Sequence, residues 1–472
     1  MKSLTLGDLI EGMTGWHPEG TRMPVYPVID SRKAAEGAVF FAFQGEHVDG
    51  HDYVEDALAR GAIAAVVDRE LHISVPILDL AKEPRPLEIV LPVVIRVPDV
   101  LQTLQKAATW WRQVLNPRVI GVTGSVGKTT TKEVVAKVLE SRYQVRKSIG
   151  SQNNEIGLPL TVLSLDSTCE RLVLELGMYV RGDIHRLDQI ARPDVGIITN
   201  VEPVHAERAG SLDEIALGKR ELIEDLPAAP KGTAILNYDD QRVRSMGPFT
   251  NAQLFTYGLA PEADLWADEV QGLGLNGIQL CLHYHDEAIK VTAPLLGYHN
   301  VYTVLRAAAA GLVEGLNWQE IIKGLNSPGP QLRLVTVRGP DDTLILDDTY
   351  NSSPPSALAA LDLLYDLPGR KVAVLGDMLE LGAYEEEGHL KVGCRAADVV
   401  SELITVGSLG EIIARGAEMC GLSRNHIHTA VDSSTAVDVL LAVLHPQDVV
   451  LVKGSRGMKM ETIVAAVSEE PK

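Results

Sequence analysis

One stretch of the chain has the residue types and spacing of a phosphate-binding loop. An apolar run leads into residues 121–130, Gly-Val-Thr-Gly-Ser-Val-Gly-Lys-Thr-Thr, and an apolar helical pattern follows. Glycines let backbone N–H groups turn toward an anion, and the helix N-terminus adds partial positive charge. Lys128 would reach the β- and γ-phosphates of a nucleotide, and the Thr129 hydroxyl would hold Mg²⁺. Five residues, instead of four, separate Gly121 from Gly127, so the strict spacing is not met.

Three further side chains in the middle of the chain could serve chemistry. Glu175 ends an apolar strand, where a carboxylate can bind Mg²⁺ directly or through water; an ordinary strand-end charge is the alternative. His205 follows the next strand and is either a ligand or a polar surface residue. Lys219 lies in a predicted helix, and its spacing alone indicates a solvated lysine.

Polar groups in the second half of the chain also follow predicted strands. Asn300 begins an alanine-rich helix and could simply cap it. Residues 347–351, Asp-Asp-Thr-Tyr-Asn, place acceptors and a ring where an open sheet presents its ligands. Lys453 and Arg456 bring two cations to a helix start, which favours an anion site.

The elements that must position these groups alternate strand with helix, which predicts an α/β fold. We predict three domains, an N-terminal α/β domain, a central domain with a mostly parallel sheet around the phosphate loop and a C-terminal Rossmann-like open sheet, over residues 1–110, 111–328 and 329–472. The clearest linker is the proline- and glycine-containing segment 326–330.

Composition narrows the functional class. A chain of 472 residues suggests about three domains. The net charge of −20 argues against a nucleic-acid or anionic-membrane partner. The four cysteines include no C-x-x-C pair and indicate a reducing compartment, with neither a disulfide framework nor a zinc site. Without a secretory apolar region or a run of about 20 apolar residues, we expect a soluble cytoplasmic protein.

Taken together, these strings resemble the Mur ligases of peptidoglycan synthesis, from about Asp30 to Arg456. The stretch 123–130 looks like the ATP loop of that family, which accounts for its spacing. Residues 153–159 are similar to the segment after the loop helix, and Lys219 matches the lysine that the family carbamylates. The motif Gly297-x-His299-Asn300 resembles the adenine-contacting G-x-H-N-x-x-N motif, with Thr303 in place of its last Asn.

The resemblance implies ATP and Mg²⁺ as cofactors, and it implies roles for individual residues. The implied catalytic residues are Lys128, Glu175, His205 and Lys219, and the implied metal ligands are Thr129, Glu175, His205 and Lys219. The implied nucleotide contacts are Thr123, Gly124, Ser125, Val126, Gly127, Lys128, Thr129, Thr130, His299, Asn300, Arg333 and Asp348. The implied substrate contacts are Ser31, Arg32, Gly45, Asp49, Asn154, Tyr350, Asn351, Lys453 and Arg456.

The function implied by the resemblance is ATP-dependent ligation of D-alanyl-D-alanine to UDP-N-acetylmuramoyl-tripeptide through an acyl phosphate. The N-terminal domain would then bind the UDP-sugar, and we expect a monomer with no nucleic-acid or membrane partner. Two alternatives stay open. One is another carboxylate–amine ligase on the same plan, such as a different Mur ligase or a folylpolyglutamate synthase, which lacks this N-terminal domain. The other is a non-catalytic nucleotide switch.

Overall fold

The computed structural model of the chain describes residues 2–45, 48–80, 82, 88–204, 206–327 and 335–468. Over these residues the strands form three separate sheets that alternate with helices, so the predicted α/β class is confirmed. The predicted site residues His205 and Arg333, and the linker residues 328–330, lie outside the described residues.

The N-terminal sheet is parallel throughout and ends in a long helix. Its elements are α1 (Leu6–Thr14), β1 (Tyr26–Val28), β2 (Ala38–Phe41), α2 (Val54–Ala59), β3 (Ala64–Val67), β4 (Ile77–Asp79), β5 (Val93–Arg96) and α3 (Val100–Leu115). The strand order is β1-β2-β3-β5-β4. The predicted domain boundary at residue 110 falls inside α3.

Helix α3 joins the N-terminal sheet to the next part of the chain. Its apolar face contributes Leu104 and Trp111 to the same core as both neighbouring sheets. The Trp111 indole N–H donates to the Leu165 carbonyl at 3.0 Å. The buried Arg112 side chain donates through Nε to the Ala191 carbonyl at 2.8 Å. Polar and apolar contacts therefore hold α3 against both parts.

The central sheet carries the phosphate-loop stretch. Its elements are β6 (Arg118–Thr123), α4 (Lys128–Leu139), β7 (Val145–Lys147), α5 (Gly157–Leu163), β8 (Arg171–Glu175), α6 (Asp183–Ala191), β9 (Val195–Ile198), α7 (Ala206–Ala209), α8 (Leu212–Glu224), β10 (Thr233–Asn237), α9 (Gln241–Arg244), β11 (Gln253–Gly258), β12 (Leu265–Gly272), β13 (Ile278–Tyr284), β14 (Glu287–Ala293), α10 (Val301–Val313) and α11 (Trp318–Asn326). The strand order is β14-β13-β12-β11-β10-β9-β6-β8-β7, parallel from β7 to β12 and antiparallel beyond. The sequence interpretation missed that antiparallel extension.

The C-terminal sheet is also open and mostly parallel. Its elements are β15 (Val335–Arg338), β16 (Leu344–Asp348), α12 (Pro354–Asp366), β17 (Lys371–Gly376), α13 (Glu385–Val399), β18 (Glu402–Val406), α14 (Gly410–Met419), β19 (Ile427–Ala430), α15 (Ser433–Val443), β20 (Val449–Lys453) and α16 (Glu461–Val467). The order is β15-β16-β20-β17-β18-β19, and only the β15–β16 pair is antiparallel in the described residues.

The sequence prediction that the cysteines form no disulfide is wrong for one pair. Cys394 on α13 and Cys420 just after α14 are joined, with their Cα atoms 5.1 Å apart. The two residues are 26 positions apart in the chain, and they meet because α13 and α14 pack side by side. A spacing rule that looks for nearby cysteines cannot detect such a contact.

No helix in the described part of the chain is both long enough and apolar enough to cross a membrane.

The phosphate-loop stretch lies at the topological switch point of the central sheet, where successive strands are added on opposite sides of β6. Strand β6 pairs with β8 on one side and β9 on the other, so its carboxyl end opens into a crevice between two neighbours. The loop is tied to the end of β9, since the Val126 N–H donates to Asn200 Oδ1 at 2.9 Å. Gly124 lies against Thr199, the residue that follows β9: a Cβ built on Gly124 would lie 1.8 Å from Thr199 Oγ1.

We expect Gly124→Ala to reduce the free energy of unfolding by about 2–4 kcal/mol, through backbone strain and steric overlap together. Gly124 has φ of +143° as well as the close contact with Thr199. The matched control is Gly150→Ala, because Gly150 also has positive φ (+54°) but no atom near its built Cβ; it should lose about 1 kcal/mol. Urea unfolding of both variants measures the difference, and equal losses would contradict the steric argument.

A buried carboxyl on α6 has no hydrogen-bond partner. Asp188 is 3% exposed, and neither of its carboxyl oxygens has a partner among the described residues. Burial raises the pKa of Asp188 well above its usual range, and the carboxylates of Asp225, just after α8, and Glu221, on α8, add to the increase. The folded protein therefore keeps a proton on Asp188 to a higher pH than the unfolded chain, which releases it above about pH 4.

Asp188→Asn should raise stability, and by more as pH rises. Between the unfolded and folded pKa of Asp188 the native state binds more protons, so stability falls with rising pH in the wild type. An amide carries no such penalty, and we expect a gain of roughly 1–3 kcal/mol at pH 8 that shrinks toward pH 5. Urea titrations at both pH values test this, with the exposed Asp438→Asn as control. A gain independent of pH would refute the assignment.

Candidate active site

A cavity of about 1210 Å³ lies between the carboxyl ends of the central and C-terminal strands. It is lined by side chains from both sheets, so neither sheet alone forms the site. The predicted site residues that line it are Ser125, Val126, Gly127, Lys128, Thr130, Asn154, Glu175, His299, Asn300, Asp348, Tyr350, Asn351, Lys453 and Arg456.

The Lys128 side chain folds back over its own loop. Its Nζ donates to the carbonyls of Gly124 at 2.8 Å and Ser125 at 3.0 Å. Thr123, immediately before the loop, is buried and donates its hydroxyl to the Leu176 carbonyl at 2.9 Å. The cation thus lies at the start of α4, where the helix and the loop N–H groups favour an anion. Thr123 holds the strand end and does not line the cavity.

Glu175 has the surroundings of a metal ligand. It is 1% exposed and accepts hydrogen bonds from Thr129 Oγ1 and Asn153 Nδ2, both at 2.8 Å. No ion pair among the described residues includes Glu175. A buried carboxylate with neutral donors alone keeps a negative charge that a cation would stabilise. Carboxylate and hydroxyl oxygens are ligands that Mg²⁺ prefers, so Glu175 and Thr129 fit that ion.

Lys219 is a buried side chain, which makes the solvated-lysine interpretation wrong. It lies on α8 and is 4% exposed. Burial, and then the nearby Lys128 ammonium, lower the pKa of Lys219 well below its ordinary value. The amine therefore favours its neutral form, which is nucleophilic.

On the C-terminal side, one of the two predicted cations is already neutralised. Lys453 Nζ donates to Asp348 Oδ2 at 2.6 Å and to the Asn351 carbonyl at 2.8 Å. Arg456 remains exposed, with its guanidinium 5.8 Å from the Tyr350 ring centroid. The Tyr350 hydroxyl donates across the cavity to Ser151 Oγ at 3.0 Å. Asp348 and Lys453 therefore form an internal pair, and Arg456 faces solvent.

The Asn300 side chain does not cap its helix. Its Nδ2 donates to the Leu296 carbonyl at 2.7 Å, and its Oδ1 accepts from Thr303 Oγ1 at 2.9 Å. His299 lies beside it on the exposed rim of the cavity. These bonds hold the backbone at the start of α10 in place.

The four predicted substrate residues of the N-terminal sheet lie elsewhere. Ser31, Arg32, Gly45 and Asp49 follow β1 and β2 and do not line the cavity. The Arg32 guanidinium donates to the carboxylate of Asp30 at 2.9 Å and lowers the pKa of that carboxyl to about 2. Asp49 accepts from Arg69 at 2.7 Å. The structure therefore does not bring this group together with the phosphate loop.

Two residues of the cavity were missed by sequence reasoning. Asn153 donates a hydrogen bond to the Glu175 carboxylate; the sequence places it in the segment 153–159 after the loop helix but predicts no role for it. Arg306 projects from α10, where a single cation interrupts an alanine-rich run. That interruption was a visible signal, because a charge in an apolar helix face needs a partner.

Three family models match the chain in sequence. They are the Mur ligase family catalytic domain over residues 28–111, the Mur ligase middle domain over 122–311, and the Mur ligase glutamate ligase domain over 332–456. The first and second matches are separated within α3 and β6, and the second and third by a segment that includes α11.

Individual relatives match along nearly the whole length. UDP-N-acetylmuramoyl-tripeptide–D-alanyl-D-alanine ligase of Bacillus subtilis (strain 168) is 36% identical over 448 residues, 94% of this chain and 93% of that protein. The crystal structure of MurF from Acinetobacter baumannii has a TM-score of 0.84 at 26% identity, covering 98% and 99% of the two chains. MurF ligase from Thermotoga maritima in complex with ADP has a TM-score of 0.78 at 27% identity, covering 94% and 96%. The predicted resemblance is confirmed: the chain belongs to the Mur ligase family.

Proposed function

We propose that this protein ligates D-alanyl-D-alanine to the terminal carboxylate of UDP-N-acetylmuramoyl-tripeptide, with conversion of ATP to ADP and phosphate. The observation that carries the proposal is the cavity in which the phosphate loop and the buried carboxylate of Glu175 meet the C-terminal sheet. The B. subtilis ligase of that name, 36% identical over 94% of the chain, supports the choice of substrates.

In the proposed reaction a carboxylate oxygen attacks the γ-phosphorus of ATP, and ADP leaves. The resulting acyl phosphate is attacked at its carbonyl carbon by the dipeptide amine, which loses a proton as inorganic phosphate leaves. Phosphoryl transfer of this kind depends mainly on positioning and charge neutralisation. Lys128 would release its loop carbonyls and contact the phosphates, and the loop N–H groups would hold them at the start of α4.

The residues that would hold Mg²⁺ are Glu175 and Thr129, joined by His205 and by Lys219 as its carbamate. When bound, Mg²⁺ would neutralise charge on the phosphate and carboxylate oxygens. A neutral Lys219 amine can combine with CO₂ and lose a proton, and the lowered pKa of Lys219 favours that neutral form. Asn153 would orient the Glu175 carboxylate. The cytoplasmic location and the monomeric state stay predictions.

The C-terminal sheet would complete the site by covering it. Asp348, Tyr350 and Arg456 line the cavity opposite the loop, and the Tyr350–Ser151 hydrogen bond joins the two walls. A closed site excludes water, which would otherwise hydrolyse an acyl phosphate.

Substrate dependence of ADP release is the direct test. With ATP and Mg²⁺, purified protein should release ADP at a rate well above background only when UDP-N-acetylmuramoyl-tripeptide and D-alanyl-D-alanine are both present. A coupled ADP assay measures this, with L-alanine, D-glutamate and meso-diaminopimelate as alternative amines. Equal rates with any of these would identify a different ligase of the same plan, and ADP release without an amine would favour a nucleotide switch.

Lys128→Ala and Lys219→Ala should each abolish turnover while leaving the fold intact. The first removes the cation of the phosphate loop, and the second removes the buried amine. Loss of one interaction used in the transition state lowers kcat by roughly 10²–10³-fold or more. Initial rates and far-UV circular dichroism test both variants, with the exposed Lys323→Ala on α11 as control. Full activity in Lys219→Ala would remove the carbamate from the mechanism.

A further inference from the structure

Arg306 is a buried cation that has no charged partner. It lies on α10, between Leu305 and Ala307 in the sequence, and it is 4% exposed. None of the ion pairs among the described residues includes it. Its Nε has no hydrogen-bond partner there, and its Nη2 donates to Thr303 Oγ1 at 3.1 Å. A buried guanidinium without a counter-charge is destabilising, so its presence calls for a compensating anion.

The guanidinium points to the phosphate loop. It lines the same cavity as Gly127 and Lys128, and a Cβ built on Gly127 would lie 3.3 Å from Arg306 Nη2. Gly127 is the residue immediately before α4 begins, where backbone N–H groups favour a phosphate. The guanidinium carbon also lies 5.9 Å from the centroid of the Tyr257 ring. The Nη2 end of the guanidinium is therefore within reach of an anion held at the start of α4.

We propose that Arg306 binds the phosphate groups of the nucleotide, with Thr303 as the residue that orients it. The planar guanidinium presents paired donors that match phosphate oxygens, and a phosphate at the loop would supply the missing negative charge. Thr303 is bonded on one side to Asn300 and on the other to Arg306. Thr303, which stands in place of the last asparagine of the motif, thus has a role in this protein. Its hydroxyl accepts a hydrogen bond from Arg306 and so orients the guanidinium. This inference rests on the proposed use of ATP.

The test compares nucleotide-free stability with ADP affinity. Arg306→Met has nearly the same length without the charge, so removing the unpaired cation should keep or raise the thermal transition of the nucleotide-free protein. The same substitution should weaken ADP binding at least tenfold by calorimetry. The matched control is Arg112→Met, because Arg112 is equally buried but donates to the Ala191 and Arg192 carbonyls. That control should lower the transition temperature and leave ADP affinity unchanged.

The outcomes separate cleanly. ADP affinity within threefold of wild type in Arg306→Met overturns the inference, and so does a lowered transition temperature, which would mean that Arg306 is structural. If Arg306→Met does not fold, Arg306→Lys decides: a threefold or greater loss of ADP affinity at an unchanged transition temperature supports the inference, and any other result overturns it. Wild-type protein that fails to bind ADP would refute the proposed function itself.

Discussion

The close approach of Gly124 to Thr199 is the constraint on which the rest of the site depends. Because Gly124 has no side chain, the loop after β6 can lie directly against the end of β9; a Cβ at this position would overlap Thr199. That contact aims α4 so that Thr129 meets Glu175 at the end of β8. The strands on the two sides of β6 therefore each contribute one contact, Gly124–Thr199 after β9 and Thr129–Glu175 at the end of β8. These two contacts position the loop and the start of α4. The sheet thus positions the loop backbone, whereas the Lys128 side chain would have to leave the loop carbonyls to contact a phosphate.

Charge in this protein is organised locally. The chain carries a net charge of −20, yet Lys128 and Arg306 line one cavity, and Lys219 is buried close to Lys128. Opposite them, Lys453 is neutralised by Asp348. Among the described residues, Glu175 and Arg306 both line the cavity and form no ion pair; the carboxylate fits a metal ion and the guanidinium fits a phosphate. A bound metal ion and a bound phosphate would supply the opposite charges.

Much of the fold could be predicted from the sequence, because strand and helix alternate in strongly apolar runs. The strands that end at Glu175 and Asp348 were predicted from such runs, and local order is enough to place groups at their ends. What failed needed knowledge of packing between distant segments. The Asp348–Lys453 ion pair and the Cys394–Cys420 disulfide each join segments that are distant in the sequence. The burial of Lys219 likewise depends on contacts between distant segments, which no local pattern predicts. His205 and Arg333 stay predictions.

Helix α3 has a consequence for how a long substrate is recognised. Its 16 residues make a rod of about 24 Å, and Trp111 and Arg112 fix it to the carbonyls of Leu165, just after α5, and Ala191, at the end of α6. The N-terminal sheet therefore stands at a set distance from the phosphate loop. If the UDP end of the substrate binds there, as proposed, α3 acts as a molecular ruler. The terminal carboxylate of a peptide one residue too short would not reach the γ-phosphate. The carboxylate of a peptide one residue too long would extend beyond the γ-phosphate.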